Sequence, residues 1–240
     1  MAARPLIKLE NVWKIYQLGK VKIEVLRGIS LEIAPGSFVV LLGPSGSGKS
    51  TLLYMIGLLD TPTKGKVYLE GQDTSNFSED ELAQIRGKKI GFIFQQFNLL
   101  PHLNALENVT IPMLFQGAPE KERKERAENL LGSVGLKDRI THRPFELSGG
   151  EQQRIAIARS LANNPEIIVA DEPTGNLDSA TGKKVMEILF DLHKEEKKTI
   201  IVVTHDPKIA DYAEEIINIE DGELVENHLT GSRVVWREKK

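Results

Sequence analysis

The stretch GPSGSGKST, Gly43 to Thr51, lies between the apolar run FVVLL and the helical, largely apolar run LLYMIGLL. It has the form G-x-x-x-x-G-K-[ST] in the strand, loop and helix setting that a phosphate-binding loop needs. Glycines at Gly43, Gly46 and Gly48 let successive backbone N–H groups turn inward around a β-phosphate, with Ser45, Ser47 and Thr51 completing the loop and a helix N-terminus behind it. Lys49 is expected to reach the β- and γ-phosphates, and the Ser50 hydroxyl to coordinate Mg²⁺. A glycine–serine linker has a similar composition, but it would not be flanked by a buried strand and a helix. No third glycine follows at the G-x-G-x-x-G spacing of a dinucleotide site.

Working outward from this loop, FVVLL (38–42), IIVA (167–170) and IIVV (200–203) are short and continuously apolar, the pattern of parallel strands buried on both faces. Between the last two, Val185, Ile188, Leu189 and Leu192 recur at helical spacing and supply the crossover that parallel neighbours require. Upstream, Val21, Ile23 and Val25, then Ile29, Leu31 and Ile33, alternate as antiparallel strands do. The segment from about Asn104 to Asn163 turns helical and more charged. Its run EKERKERAENLL reads as a solvated helix face.

Two further stretches carry chemistry. IIVADEP ends a buried strand with adjacent acids: Asp171 is placed to hold the Mg²⁺ shell, and Glu172 to polarise a water for attack on the γ-phosphate. In ELSGGEQQR, Ser148 and Glu151 have the spacing of a capping box, which satisfies a helix start without any ligand. Gly149 and Gly150 at the same helix mouth also fit close approach by an anion. Nothing matches N-K-x-D, the guanine-reading motif.

Composition narrows the field. Lys and Arg number 31 against 34 Asp and Glu, a net charge of −3, so bulk electrostatics give a nucleic-acid partner no support. The absence of cysteine removes disulfides and thiolate metal sites, and the 5 histidines lack ligand spacing. Apolar runs fall far short of the roughly 18 residues that span a bilayer. The first residues, MAARPLIKLE, lack the apolar region of a signal peptide, which predicts a cytoplasmic, soluble chain.

Taken together, these motifs resemble those of the ATP-binding cassette (ABC) ATPases along nearly the whole chain. LSGGEQQR is similar to the family's signature motif, FIFQQFNLLP to its Q-loop segment, with the glutamine at Gln95, GNLDS to its D-loop, with Asp178, and VVTHD to its switch histidine, His205. Tyr16 in VWKIYQLG falls where the family stacks an aromatic ring on adenine, although a strand tyrosine also packs. The wording GPSGSGKSTLL, IGFIFQQFNLLP and TGNLDS is especially similar to the branch serving lipoprotein release, macrolide export and cell division. Gly175 and Asn176 depart from the commoner Ser-Ala.

The resemblance implies an α/β P-loop NTPase fold with a RecA-like mixed-sheet core, an N-terminal antiparallel β subdomain and an inserted α-helical subdomain. It divides a single ABC ATPase domain into a nucleotide-binding core (1–94 and 164–226), a Q-loop and signature part (95–163) and a tail (227–240). It further implies ATP and Mg²⁺, with Ser50, Gln95 and, through water, Asp171 at the metal, and catalytic roles for Lys49, Gln95, Glu172 and His205. Two copies would form a head-to-tail homodimer in which Ser148, Gly149, Gly150 and Asp178 act on the nucleotide held by the partner protomer. Force would pass to a separate integral membrane permease subunit, placing the chain at the inner face of the cell membrane. Export or extraction of a lipoprotein, drug or peptide fits this branch, as does a regulatory role in which ATP cycling signals across the membrane without transport. Phe97, Leu99 and Leu100 are read either as part of a groove for that subunit or as core of the insertion. The tail holds Trp236 among basic residues, which suits either a surface contact or a solvated terminus.

Overall fold

The computed structural model describes residues 4–225. Along the chain the elements are β1 (Ile7–Leu18), β2 (Val21–Ile33), β3 (Phe38–Leu42), α1 (Lys49–Ile56), β4 (Lys64–Leu69), β5 (Gln72–Asp73), α2 (Glu79–Lys89), β6 (Ile90–Ile93), α3 (Ala105–Phe115), α4 (Glu120–Ser133), α5 (Gly149–Ser160), β7 (Ile167–Asp171), α6 (Ser179–Glu196), β8 (Thr199–Thr204), β9 (Glu215–Glu220) and β10 (Glu223–Val225). Two compact units result. The first runs to Leu82 and resumes at Thr199, and the second is Ala83–Lys198.

In the first unit, β3 lies parallel between β8 and β9, and β10 closes antiparallel on β9. Phe38 to Leu41 and all of β8 are buried, which is why these segments carry apolar and β-branched residues without alternation. The register pairs Leu42 with Thr204, so the chain leaves β3 and β8 at the same carboxyl edge. The unit also holds α1 and an antiparallel sheet of order β2-β1-β4-β5. The sheet's alternation is less regular than expected. Val21 and Ile23 are exposed while Leu26 is buried, because the β1–β2 pairing shifts register at Leu9/Val12, Val12/Lys14 and Lys14/Ile15, and each shift resets which face a side chain takes.

The second unit contains the parallel pair β6 and β7, with Ile93 opposite Ala170. β6 and β9 lie outside the strands expected from the apolar runs, since β6 is interrupted by a glycine and β9 begins and ends on glutamates. The stretch 104–163 is helical as expected. Its charged helix α4 buries only Ala127 and Leu131, carries the pair Lys124–Glu120 at 2.6 Å on its exposed face, and sends Arg126 to the carbonyls of Leu161 and Ala162 just past α5. On α6, Val185, Met186, Leu189 and Leu192 form the buried stripe. Among the described residues no helix is long and apolar enough to cross a membrane. Trp236 and the basic tail lie outside the described residues.

Candidate active site

The loop from Gly43 to Gly48 joins the end of β3 to α1 in the first unit. Its three glycines serve different needs. A Cβ at Gly43 would collide with the backbone carbonyl of Ile219 on β9, and one at Gly48 (φ 99) would come within 2.8 Å of the Val25 carbonyl. Gly46 is different: it takes φ 82, and nothing lies within 4 Å of where a side chain would start. The first two glycines admit neighbouring backbone, while the third leaves the concave face of the loop open. Around that face the Ser47 hydroxyl is buried with no hydrogen-bond partner among the described residues. Lys49 is 6% exposed and donates from Nζ to the Pro44 carbonyl at 2.6 Å. No side chain caps α1. An orphaned hydroxyl, an uncapped helix start and a buried cation folded over its own loop are what a phosphate group would satisfy. Ser50 and Thr51 follow on the first turn, and Ser45 is exposed at the loop tip.

Tyr16, 38% exposed on β1, donates from its hydroxyl to Asp60 Oδ2 at 3.0 Å and is also hydrogen-bonded by Thr51. Asp60 receives Lys14 Nζ at 2.6 Å, and the same ammonium stands 5.0 Å from the centre of the Tyr16 ring. Partial burial and the Asp60 bond push the phenol above its ordinary range. For Asp60, burial opposes ionisation, but Lys14, the Thr61 amide and Tyr16 outweigh it and hold the carboxyl below its ordinary value. The expected aromatic residue is therefore tied to the phosphate loop through Thr51. Lys14 and Asp60 gave no sequence motif, because their partners stand 46 and 44 residues away. His205 follows β8 at the same carboxyl edge as Gly43 and is exposed, and the turn after it is capped by Asp206.

In the second unit, Gln95 and Asp171 leave the parallel pair β6 and β7 at one edge. That is where open α/β sheets place ligand-binding groups. Gln95 is exposed, and its carbonyl accepts from Asn176 Nδ2 at 2.8 Å. A Cβ at Gly175 would lie 2.7 Å from Gln95 Nε2. The departure from Ser-Ala thus has a local reason: the glycine makes room for Gln95 and the asparagine holds its loop. Glu172 adopts φ 47, a left-handed conformation that costs about 1–3 kcal/mol for a residue with a side chain. Its carbonyl accepts from the Gly175 N–H at 3.0 Å, closing the turn.

The mouth of α5 carries the expected capping box. Ser148 Oγ accepts from the Glu151 N–H at 3.3 Å, and Glu151 Oε2 accepts from the Ser148 N–H at 2.9 Å and hydroxyl at 2.7 Å. The Ser148 contacts, hydroxyl first, hold the Glu151 carboxyl below its ordinary range. The two glycines behind Ser148 again differ. A Cβ at Gly150 would collide with the Thr181 methyl, whereas one at Gly149 would make only ordinary contact with Leu177 and Phe97. Asp178 caps α6 through the Ala180 and Thr181 amides, both at 3.0 Å, and takes the Thr181 hydroxyl at 2.6 Å.

Two residues of α5 that carried no expectation prove to be anchors. Gln153 donates to the Pro173 carbonyl at 2.7 Å, and Arg159 donates to the carbonyls of Asn98 and, at 2.8 Å, Phe97. Phe97 and Asn98 are both left-handed, at φ 58 and 49, so the guanidinium holds a contorted stretch. Burial lowers the pKa of Arg159. Phe97 and Leu99 are half-buried and Leu100 is exposed, so this run lies between core and surface.

Comparison with known proteins gives a consistent result. The family described as ABC transporter matches residues 26–175. An uncharacterised ABC transporter ATP-binding protein of Thermotoga maritima is 56% identical over 92% of this chain and 94% of its own. The lipoprotein-releasing system ATP-binding protein LolD of Aquifex aeolicus is 50% identical over 92% of this chain and 96% of its own. Among solved structures, the ATP-binding cassette MJ0796 of Methanocaldococcus jannaschii, in a dimeric post-hydrolysis state bound to ADP and Pi, is similar with a TM-score of 0.86 and 50% identity, covering 92% of this chain and 97% of that one.

Proposed function

We propose, from the premise that this chain belongs to the ABC transporter ATP-binding family and is an ATPase, that it works as a homodimer whose ATP-driven closure moves a separate membrane subunit. The observation that carries this reading is the pairing of two unlike helix mouths in one chain. The mouth of α1 has its own lysine, an open glycine and no side-chain cap, and the mouth of α5 is capped by its own Ser148–Glu151 box. The likeness to a dimeric cassette holding ADP and Pi supports it.

In this reading Lys49 and the N–H groups of Gly46 to Thr51 hold the β- and γ-phosphates, and Tyr16 carries adenine. Glu172 accepts the proton of the attacking water, His205 and Gln95 bind near the γ-phosphate, and Ser148, Gly149, Gly150 and Asp178 serve the nucleotide of the partner protomer. Ser50, Gln95 and Asp171 offer the hydroxyl, amide and carboxylate oxygens that suit Mg²⁺, which would neutralise charge on the phosphates. The membrane subunit would meet the second unit, where Leu100, Leu114 and Phe115 stay exposed, and so hold the chain at the cytoplasmic face of the membrane. The likeness to a lipoprotein-releasing subunit supports extraction or export of a lipid-anchored or amphipathic cargo.

A mixing experiment tests the dimer. Lys49→Ala removes the cradle's cation and Ser148→Arg blocks the signature mouth, so each homodimer should be inactive. A mixture forms heterodimers with one complete site, and its ATPase rate should exceed the sum of the two. A wild-type rate per chain that stayed constant on dilution far below the dimer's measured Kd would overturn the shared-site reading. Co-purification of the membrane subunit, and the character of its outer domain, then tests the cargo.

A further inference from the structure

Gln153 stands next to last in ELSGGEQQR, and none of the roles above uses it. The residue is 0% exposed, on a helix whose neighbouring Ile155, Ala156, Ile157 and Ala158 are all buried. Its Nε2 donates to the Pro173 carbonyl at 2.7 Å, while its Oε1 has no hydrogen-bond partner among the described residues. An apolar side chain of the same length would remove that unmatched oxygen but leave the buried Pro173 carbonyl without its donor, so what the glutamine adds is its grip on that carbonyl.

What the glutamine achieves is to hold the Pro173–Thr174 peptide, one residue past Glu172. That residue sits at φ 47, and the proline after it narrows its conformations further. Strain of this kind persists only where the surroundings over-determine it. The Gly175 N–H, 3.0 Å from the Glu172 carbonyl, provides one constraint, and Gln153 provides a second from the helix that begins at Ser148.

We propose that Gln153 is a positioning residue that ties the aim of the Glu172 carboxylate to the seating of its own signature helix. When Ser148 engages the nucleotide of the opposite protomer, α5 shifts as a rigid element. The amide of Gln153 then carries the Pro173 carbonyl with it and sets the base for the chain's own ATP. Each site would thus sense occupancy of the other through a single hydrogen bond. This rests on the roles given above to Ser148 and Glu172.

The test uses the full-length dimer. Gln153→Met keeps length and bulk but removes the donor. It should lower kcat about 10- to 100-fold, the scale expected of a misplaced catalytic group, while affinity for a fluorescent ATP analogue stays within about two-fold and the thermal midpoint within about 4 °C. Gln153→Leu takes its place if the methionine variant does not fold. In a Glu172→Gln background the same change should leave the residual rate unaltered, because a residue that acts through Glu172 has nothing left to position. Normal kcat with a lowered midpoint would mean a purely structural bond and overturn the proposal. So would a further equal drop in the Glu172→Gln background. If Glu172→Gln itself hydrolysed ATP near the wild-type rate, the base assignment would fail first and this proposal with it, whatever Gln153→Met does.

Discussion

The phosphate loop of the first unit and the signature helix of the second each offer a helix mouth, yet they are held in opposite ways. The loop is wedged by backbone against backbone: Gly43 under the Ile219 carbonyl, Gly48 under that of Val25, and the Ser47 carbonyl bonded by the Gly222 N–H at 3.0 Å. Side chains hold α5 instead, with the Ser148–Glu151 box at its start, Gln153 on the Pro173 carbonyl and Arg159 on those of Phe97 and Asn98. A loop wedged by backbone leaves no room for a side chain at Gly43 or Gly48. A helix held by side chains can be retuned one residue at a time, and it can pass displacement to what those side chains grip. Binding suits the first arrangement and coupling the second.

The sharpest way to break this division is to remove the chemistry while leaving binding intact. Glu172→Gln keeps shape and should cut steady-state hydrolysis by about 10² to 10⁴, with the ATP analogue still bound at wild-type affinity. A rate within a few-fold of wild type would show that Glu172 is not the base.

The complementary change strikes binding. Lys49→Ala should weaken ATP affinity by roughly 10- to 100-fold, the scale of a lost hydrogen bond from a charged group. Tyr16→Ala, which loses stacking alone, should cost only about 2- to 10-fold. Equilibrium titration would reveal the order, and a greater loss at Tyr16 would contradict it.

Glycine substitutions compare the two modes of holding directly. Gly43→Ala meets a main-chain carbonyl that cannot move aside, and should destabilise the fold by at least the ~1–3 kcal/mol typical of overpacking. Gly150→Ala meets only the Thr181 methyl. It should cost less in chemical denaturation, and Thr181→Ser, which deletes that methyl and keeps the hydroxyl bonded to Asp178, should restore most of the loss. Equal costs at the two glycines, or no rescue, would erase the distinction drawn here.

The smallest effect concerns acid. Because the folded pKa of Asp60 is depressed, its stabilising contribution is complete above the unfolded value near ~3.9 and is lost as pH falls through the folded value. The stability difference between wild type and Asp60→Asn should therefore be constant above about pH 5 and shrink below about pH 4. Thermal melts across that range would show it, and a difference independent of pH would exclude ionisation of Asp60 as its source.

Much of this was legible in the chain. Continuous apolar runs marked β3, β7 and β8, helical spacing marked α6, and G-x-x-x-x-G-K-[ST] marked the loop between β3 and α1. The capping box at Ser148 was readable because both of its partners lie within three residues. Less could be read where strands lack an apolar run, as in β6 and β9, or where bulges reset alternation, as along β1 and β2. Lys14, Asp60, Asn176, Gln153 and Arg159 escaped for a different reason. A polar side chain in a strand, loop or helix carries no sign of a distant acceptor.

By itself, then, the sequence determined which segments would be strands or helices and where phosphate-binding backbone would be exposed, because torsional preference, capping and apolar periodicity act over a few residues. Only the tertiary structure decided what a side chain at Gly43 or Gly150 would meet, why Gln153 is buried, and which carbonyls Arg159 holds. Those contacts join residues 176, 31, 20 and 61–62 positions apart, and their energies exist only once the chain has closed those distances.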